Sequence, residues 1–403
     1  DALWQYRHAS SHRDSAAFDQ NLNALFRAVW TRDQIHFYTE TRTDLDEVLR
    51  IFVRLNSGGV ALSYSDLLFS LVTAVWKQHD AREEIHALVD ELNTRCGAAF
   101  WFDKDFVLRA LLLCRNGDIR FKTLNFSRQA DLEGIWPRVA EALRRAVRIV
   151  ARAGFTAATL RAPTAVLGIA YYLYLLDDGR AVDGREFREE RERIRLWLLR
   201  CFLGQVFRGR TEQLLVGIRA AINESWAEGR RDFPAQRIDE KLRQQRAYIF
   251  NEDILTQIVD DTTYGNPTAF YVLALLTPAL RADVAAYDVD HLHPRSLAEQ
   301  PDALRQAGCS EEDIAFFQSH ADSLPNLHLL PEGENRGDKK ARPLREWLQG
   351  HPGAVWIRQS SFLPDDVGCE FSRFRDFYRD RRNALLNRLR DTLGVVPGPP
   401  SGA

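Results

Sequence analysis

The sequence predicts a mainly α-helical protein with a multi-helical body and a C-terminal strand, strand and helix (ββα) module. Apolar residues recur at spacings of three and four along most of the chain, which is the pattern of core-facing helices. Two short β-like runs break this pattern only after Tyr287. The chain has 403 residues, more than one hydrophobic core usually serves, so we expect more than one domain.

The helical pattern begins between Asp44 and Arg54 and stops at the residues Asn56 to Gly59. That Asn-Ser-Gly-Gly stretch could be a phosphate-binding loop, but it lacks the GxxxxGK[ST] pattern, and a helix-breaking turn is favoured. Ser63 and Asp66 then offer a capping-box start for a helix to about Trp76. Further helices are expected near residues 80–95, 103–115, 130–153, 163–177, 185–207, 211–227 and 267–280.

The character of the chain changes near Tyr287. A first β-like run is ended by Pro294, and a second covers Asn326 to Leu330. Amphipathic sequence at about 297–322 separates the two runs, and a polar segment from Glu332 to Lys340 follows the second. A ββα module requires this order of strand, second strand and short helix. The Gly/Pro-rich residues 394–403 are expected to be a disordered tail.

Composition and charge narrow the classes of protein. The five cysteines are odd in number and contain no CxxC pair, which argues against a disulfide scaffold or a zinc ribbon and favours a cytoplasmic location. The longest apolar run, Ala165 to Leu176, is too short to span a bilayer, so no membrane partner is expected. The chain contains no methionine, and we expect it to begin inside a longer open reading frame.

The formal net charge of −2 gives no overall attraction to a polyanion, so only local clusters of basic residues could indicate one. Between Arg336 and Glu346, five basic residues stand against two acidic ones. The stretch from Phe371 to Arg390 carries seven arginines beside an apolar stripe. These arginines either contact a polyanion or form the solvated face of a helix.

Four residues of the C-terminal module could together hydrolyse a phosphodiester. Such a reaction needs a base, a cation beside the phosphate and a fixed in-line geometry. His291 can act as the base at neutral pH, and Asp290 and Asn335 offer the hard oxygen ligands that Mg²⁺ or Mn²⁺ prefers. Lys339 lies four residues after Asn335, so on a helix both would share a face toward the phosphate. Asp290 and His291 can address one phosphate only if the strand ends or twists there.

The same residues resemble the HNH signature of CRISPR-associated nucleases and modification-dependent restriction enzymes. The similarity rests on the sequence DVDHLHP at 288–294, on Asn326-Leu327 and on ENRGDK at 334–339. It implies a ββα-metal nuclease in which Asp290 and Asn335 bind the metal, His291 is the general base and Asn326 braces the loop. His293 shares a strand face with His291 and is either a phosphate contact or a packed, orienting residue.

An upstream segment carries a second resemblance. Residues 51–68, IFVRLNSGGVALSYSDLL, are similar to the later part of the ParB-like sensor domain of GmrSD-type type IV restriction enzymes, which also end in an HNH domain. Phe374, Phe377 and Arg382 of the closing helix extend the likeness. The DGQQR motif expected upstream is absent, so neither nucleotide use nor sensing is assigned.

The resemblance implies a domain order and a function. Residues 1–80 would be the end of a sensor domain, 81–280 a helical middle domain and 281–393 the HNH nuclease. The expected activity is metal-dependent endonucleolytic cleavage of DNA, either modified or plain, in defence against foreign DNA. A homo-oligomer, or association with a missing N-terminal sensor segment, stays open. The alternatives are a non-catalytic nucleic-acid-binding adaptor and an RNase toxin.

Overall fold

A computed structural model gives the architecture, and its described part is mainly helical, as predicted. The strands within that part form one two-stranded sheet. No helix of the described segments is both long and apolar enough to cross a membrane. The structure describes residues 16–31, 63–96, 98–115, 117–120, 132–209, 211–245, 250–277, 287–331, 342–363 and 369–395, with the single positions 39, 41, 47, 48 and 51.

Two compact units divide the chain after Tyr64. In the first unit the structure describes helix α1 (Ala16–Phe26), which continues as one π-helical turn at Arg27–Thr31. Residues 65–403 form the second unit. The turn predicted at residues 56–59 lies outside the described residues, and the domain boundaries expected near 80 and 280 stay predictions.

The helices of the body begin where the sequence offers caps. The side chains of Asp80 and Asp103 accept hydrogen bonds from the first-turn amides of Glu83 and Phe106, and these bonds satisfy amides that a helix leaves unpaired at its start. Of the eight helices described between residues 64 and 245, the first seven overlap the expected ones, with ends that differ by up to six residues, and the eighth was not predicted. They are α2 (Tyr64–Val75), α3 (Ala81–Thr94), α4 (Lys104–Cys114), α5 (Trp136–Arg152), α6 (Thr164–Leu176), α7 (Arg188–Leu203), α8 (Thr211–Ala227) and α9 (Ala235–Gln245).

Two further helices lead toward the C-terminal module. Helix α10 (Glu252–Asp261) starts at an Asn251 cap, and helix α11 (Pro267–Leu276) starts at an Asn266 cap. Between them, Thr263 forms an isolated antiparallel bridge with Ser323. This bridge ties the α10–α11 connection to the module that follows.

The two predicted β-like runs are strands, and they pair antiparallel. Strand β1 (Tyr287–His291) pairs with β2 (Leu327–Pro331) in a register that places Asp290 opposite His328 and His291 opposite Leu327. Helices α12 (Pro301–Gln306) and α13 (Glu311–His320) fill the expected insertion. The short helix expected between Glu332 and Lys340 lies outside the described residues, so the complete ββα module stays a prediction.

Three further helices are described between residues 342 and 395. They are α14 (Leu344–Gly350), α15 (Ala354–Ser360) and the long α16 (Phe374–Leu393). Trp347, Phe317, Phe374 and Phe377 join Leu292 in one buried apolar cluster beneath the strands. Apolar burial of this extent stabilises the otherwise marginal two-stranded hairpin.

Candidate active site

His291 is the last residue of β1 and lies at the edge of the hairpin. Its side chain is largely buried, with 8% of the residue exposed. The ring nitrogen Nε2 lies 2.8 Å from Oδ1 of Asp322, and the ring of Tyr264 covers the imidazole at a centroid distance of 4.5 Å. The histidine is therefore held from two sides.

The carboxylate of Asp322 determines what the imidazole can do. A carboxylate accepts a hydrogen bond from an N–H group, so this contact places the ring proton on Nε2 and the lone pair of the neutral ring on Nδ1. The same carboxylate stabilises the imidazolium that forms when Nδ1 takes up a proton. The pair has the arrangement of a general base with its orienting acid.

Asn326 is completely buried immediately before β2. Its Nδ2 donates to the backbone oxygens of His293 (2.9 Å) and Ala321 (2.7 Å), and its Oδ1 accepts from the His293 amide at 2.9 Å. The Asn326 backbone oxygen also accepts from the Leu292 amide at 2.7 Å. These bonds join the loop after His291 to the start of β2, and this is the geometry of a residue that braces the loop. A direct catalytic role for Asn326 stays a prediction.

Replacement of Asn326 by alanine is expected to lower stability and activity together. The change removes the hydrogen bonds from Asn326 to the His293 amide and to the backbone oxygens of His293 and Ala321, which costs about 2–4 kcal/mol. Denaturant unfolding would measure the loss. The matched control is Asn387→Ala, because Asn387 lies exposed on α16 and accepts a hydrogen bond from Arg390 of the same helix. Its removal should change stability by less than about 0.5 kcal/mol. Equal effects of the two substitutions would contradict the bracing role.

His293 belongs to the core. It has no exposed surface, and three phenylalanine rings surround it at centroid distances of 4.7–5.3 Å: Phe371, Phe374 and Phe377. A ring with no accessible surface cannot contact a phosphate from solvent. Of the two roles expected for His293, the packed one fits the structure.

Asp290 has neighbours that differ from those of His291, as expected for adjacent residues of a regular strand. Its Oδ2 lies 3.8 Å from Nε2 of the buried His328, its cross-strand partner. About a fifth of the Asp290 side chain is exposed. The His328 ring packs on Trp347 and lies 3.4 Å from the Ser361 hydroxyl. The strand ends one residue after Asp290, so a ligand at the strand end could reach both side chains.

The second expected metal ligand, Asn335, and the expected phosphate contact, Lys339, lie outside the described residues. Within the described ranges, no group of three or more His, Cys, Asp or Glu side chains could hold a metal ion. Magnesium does not require such a group, because it keeps several waters and is usually bound through one or two carboxylates and substrate phosphates. The half-buried Asp290 carboxylate is a donor that fits this manner of binding.

Three residues near His291 and its partner were not predicted from the sequence. They are Asp322, Tyr264 and Arg295, whose Nε lies 3.5 Å from Asp322 Oδ2. Asp322 follows α13 and Tyr264 precedes α11, so both are distant in sequence from the motif. Only Arg295, which follows Pro294 directly, could have been suspected from its position.

Arg381 of α16 binds the backbone on both sides of Asn326. Its guanidinium is fully buried and donates to the backbone oxygens of Leu324, Pro325, Leu327 and Ser361. Burial lowers the pKa of this group, because desolvation penalises its charged form, and the four oxygens take the place of water. Three of those oxygens flank Asn326. Arg381 therefore positions Asn326, which in turn positions the loop after His291.

Other arginines of α16 form ion pairs. Arg382 pairs with Asp260 through two hydrogen bonds, and Arg390 pairs in the same way with Glu252. Arg375 lies near Asp313, and Arg379 pairs with its helix neighbours Asp376 and Asp380. The pairs with Asp260 and Glu252 attach α16 to α10. Much of the charge on this helix therefore serves packing, which weakens the expectation that it binds a polyanion.

No known protein-family model matches this chain, and no curated protein is significantly similar to it.

Proposed function

We propose that this protein is a metal-dependent endonuclease that hydrolyses DNA at His291. The contact between His291 and Asp322 at 2.8 Å carries the proposal, since it holds a histidine at the end of a strand in the orientation that a general base requires. The sequence resemblance to HNH nucleases supports it independently. Arg295, more than half exposed beside Asp322, adds a cation where a phosphate would approach.

The chemistry divides among the residues of the site. His291 takes a proton from the attacking water at Nδ1, and Asp322 stabilises the resulting imidazolium. Asp290 and Asn335 would hold a divalent cation, which when bound neutralises charge that develops on the phosphate. Asn326 and Arg381 keep the loop after His291 in place, because displacement of about 1 Å is enough to lower a rate strongly.

The resemblance also suggests a biological role. HNH effectors of the GmrSD type cut foreign DNA, and we extend that role to this chain as a defence nuclease. Binding to the backbone of DNA is expected to weaken as salt is raised, in proportion to the number of phosphates contacted. Cleavage of RNA with no cleavage of DNA would instead favour an RNase.

Removal of divalent metal is expected to abolish cleavage without preventing DNA binding. Asp290→Ala and Asn335→Ala should each raise the Mg²⁺ or Mn²⁺ concentration required for half-maximal activity, because each removes one oxygen ligand. Plasmid nicking in a metal titration measures this effect, and zinc should not restore activity. Asp288→Ala is the matched control, since Asp288 lies on the same strand two residues before Asp290. Its metal requirement should equal that of the parent protein.

Two outcomes would contradict the metal assignment. Full cleavage in excess chelator would remove the metal from the reaction. An unchanged metal requirement in both variants, with the fold intact by circular dichroism, would place the ligands elsewhere.

A further inference from the structure

Tyr264 is an aromatic residue beside the proposed base that the reaction itself does not use. Its ring lies against His291 with a centroid distance of 4.5 Å and an interplanar angle of 39°. Unlike the phenylalanines around His293, Tyr264 keeps 47% of its surface exposed. An aromatic side chain with this exposure leaves apolar ring surface in water at the edge of the site.

The backbone holds Tyr264 in this place. Its amide donates to the Asp322 backbone oxygen at 2.8 Å, while the Asp322 carboxylate contacts His291. Thr263 bridges to Ser323, and the Leu324 amide donates to the Thr262 oxygen at 2.9 Å. The loop from 262 to 264 is thus bonded to the segment that carries the orienting acid, and Tyr264 cannot leave without disturbing these bonds.

Charge near the ring indicates what would lie on it. Arg295 extends from the loop after His291 to within 3.5 Å of Asp322 and is 57% exposed. A cation that can meet a phosphate, next to an aromatic face that can meet a base, is the combination that binds single-stranded nucleic acid. Tyr264 packs on the histidine that would act on the phosphate, and Arg295 lies beside the carboxylate that orients this histidine.

We infer that Tyr264 stacks on a nucleobase next to the phosphate that is cut, and that Arg295 contacts a neighbouring phosphate. Bases inside a duplex are stacked on each other and present no free face, so the preferred substrate is single-stranded or locally unpaired DNA. This inference rests on the proposed function. It adds a substrate class and assigns two binding residues from outside the metal motif.

Binding in chelator tests the inference without requiring cleavage. The probe is a short single-stranded oligodeoxynucleotide with one 2-aminopurine, a base whose fluorescence falls when it stacks. Tyr264→Ala is expected to weaken binding by about tenfold and to reduce the quenching, because it removes one stacking surface. Tyr264→Phe should behave as the parent, since the ring suffices. Binding to duplex DNA of the same sequence should change little in either variant.

Trp101→Ala is the matched control, because Trp101 is also an aromatic residue with 83% exposure but lies before α4. It should leave quenching and affinity unchanged. Photo-crosslinking of the intact parent protein to a 5-iodouracil oligonucleotide gives a second measurement that does not depend on a variant. The expected crosslinked peptide contains Tyr264.

The outcomes separate the inference from the proposed function. If the parent protein cuts DNA but Tyr264→Ala binds the single strand as tightly as the parent and crosslinks lie elsewhere, the stacking role is wrong and the nuclease stands. If the single strand binds and quenches through Tyr264 but no metal supports cleavage, the nuclease proposal is wrong and the binding surface stands. Equal losses on single-stranded and duplex DNA would overturn the preference for unpaired bases.

Discussion

Replacement of His291 by alanine is expected to abolish DNA cleavage while leaving DNA binding nearly unchanged. The imidazole would act on the attacking water, so its loss raises the energy of the transition state and not of the bound complex. Single-turnover cleavage of a labelled substrate, with binding measured separately in chelator, distinguishes these effects. A decrease of about a hundredfold or more is expected from loss of a general base.

Asp322→Asn provides a sharper version of the same test. The amide is nearly equal in size to the carboxylate but cannot stabilise the imidazolium, and it can donate to the ring and favour the wrong tautomer. Its cleavage rate should therefore fall strongly, with folding preserved. His86→Ala serves as the control, because His86 is an exposed histidine of α3 and its loss should leave the rate unchanged.

A rate above about a tenth of the parent value in His291→Ala would argue against a base at this position. The same holds if Asp322→Asn cleaves as fast as the parent, because the proposed role of His291 depends on its contact with Asp322.

Replacement of Arg381 by leucine is expected to produce the largest loss of stability. The substitution removes the guanidinium from four buried backbone oxygens, of which the Leu324 oxygen keeps the Leu327 amide as a donor. Each lost hydrogen bond costs roughly 1 kcal/mol or more, for a total of about 3–5 kcal/mol. Urea unfolding followed by circular dichroism measures the change. Cleavage should fall as well, since the oxygens of Leu324, Pro325 and Leu327 flank Asn326.

Arg379→Leu is the matched control on the same helix. Arg379 is 63% exposed and pairs with the nearby carboxylates of Asp376 and Asp380, so its loss should change stability by less than about 0.5 kcal/mol. Arg381→Lys keeps the positive charge but has three donors and no planar fork, and we expect it to recover part of the stability. Unfolding of Arg381→Leu at the parent urea concentration would show that the clamp is dispensable.

Local patterns predicted helices α2 to α8 and α11 and the two strands, whereas α1, α9 and α10 were not predicted. Helix α8 begins and ends where the apolar spacing placed it, at Thr211 and Ala227, and the hairpin appears at the two β-like runs. Helical periodicity and short β-like runs are properties of neighbouring residues, so they can be read without knowledge of the tertiary structure. The ends of α11 and α5 were less well placed, because tertiary packing determines where a helix stops.

The candidate site could be predicted only in part. His291 and Asn326 lie in a recognisable motif, but Asp322 and Tyr264 reach His291 from other segments, and no local pattern marks a residue that meets its partner only after folding. The buried role of His293 was equally hidden. Its sequence position resembles that of His291, and only the phenylalanines of the closing segment show that it packs.

The position of Arg381 in the sequence means that the hairpin is translated before the residue that binds it. Arg381 binds the backbone of Pro325, which precedes it by 56 residues, so the ribosome makes the histidine hairpin well before the residue that clamps it. At 5–20 residues per second, this interval lasts about three to eleven seconds. Until Arg381 has been translated, the hairpin of β1 and β2 lacks this clamp, so the proposed active site is completed only after the closing helix has been made.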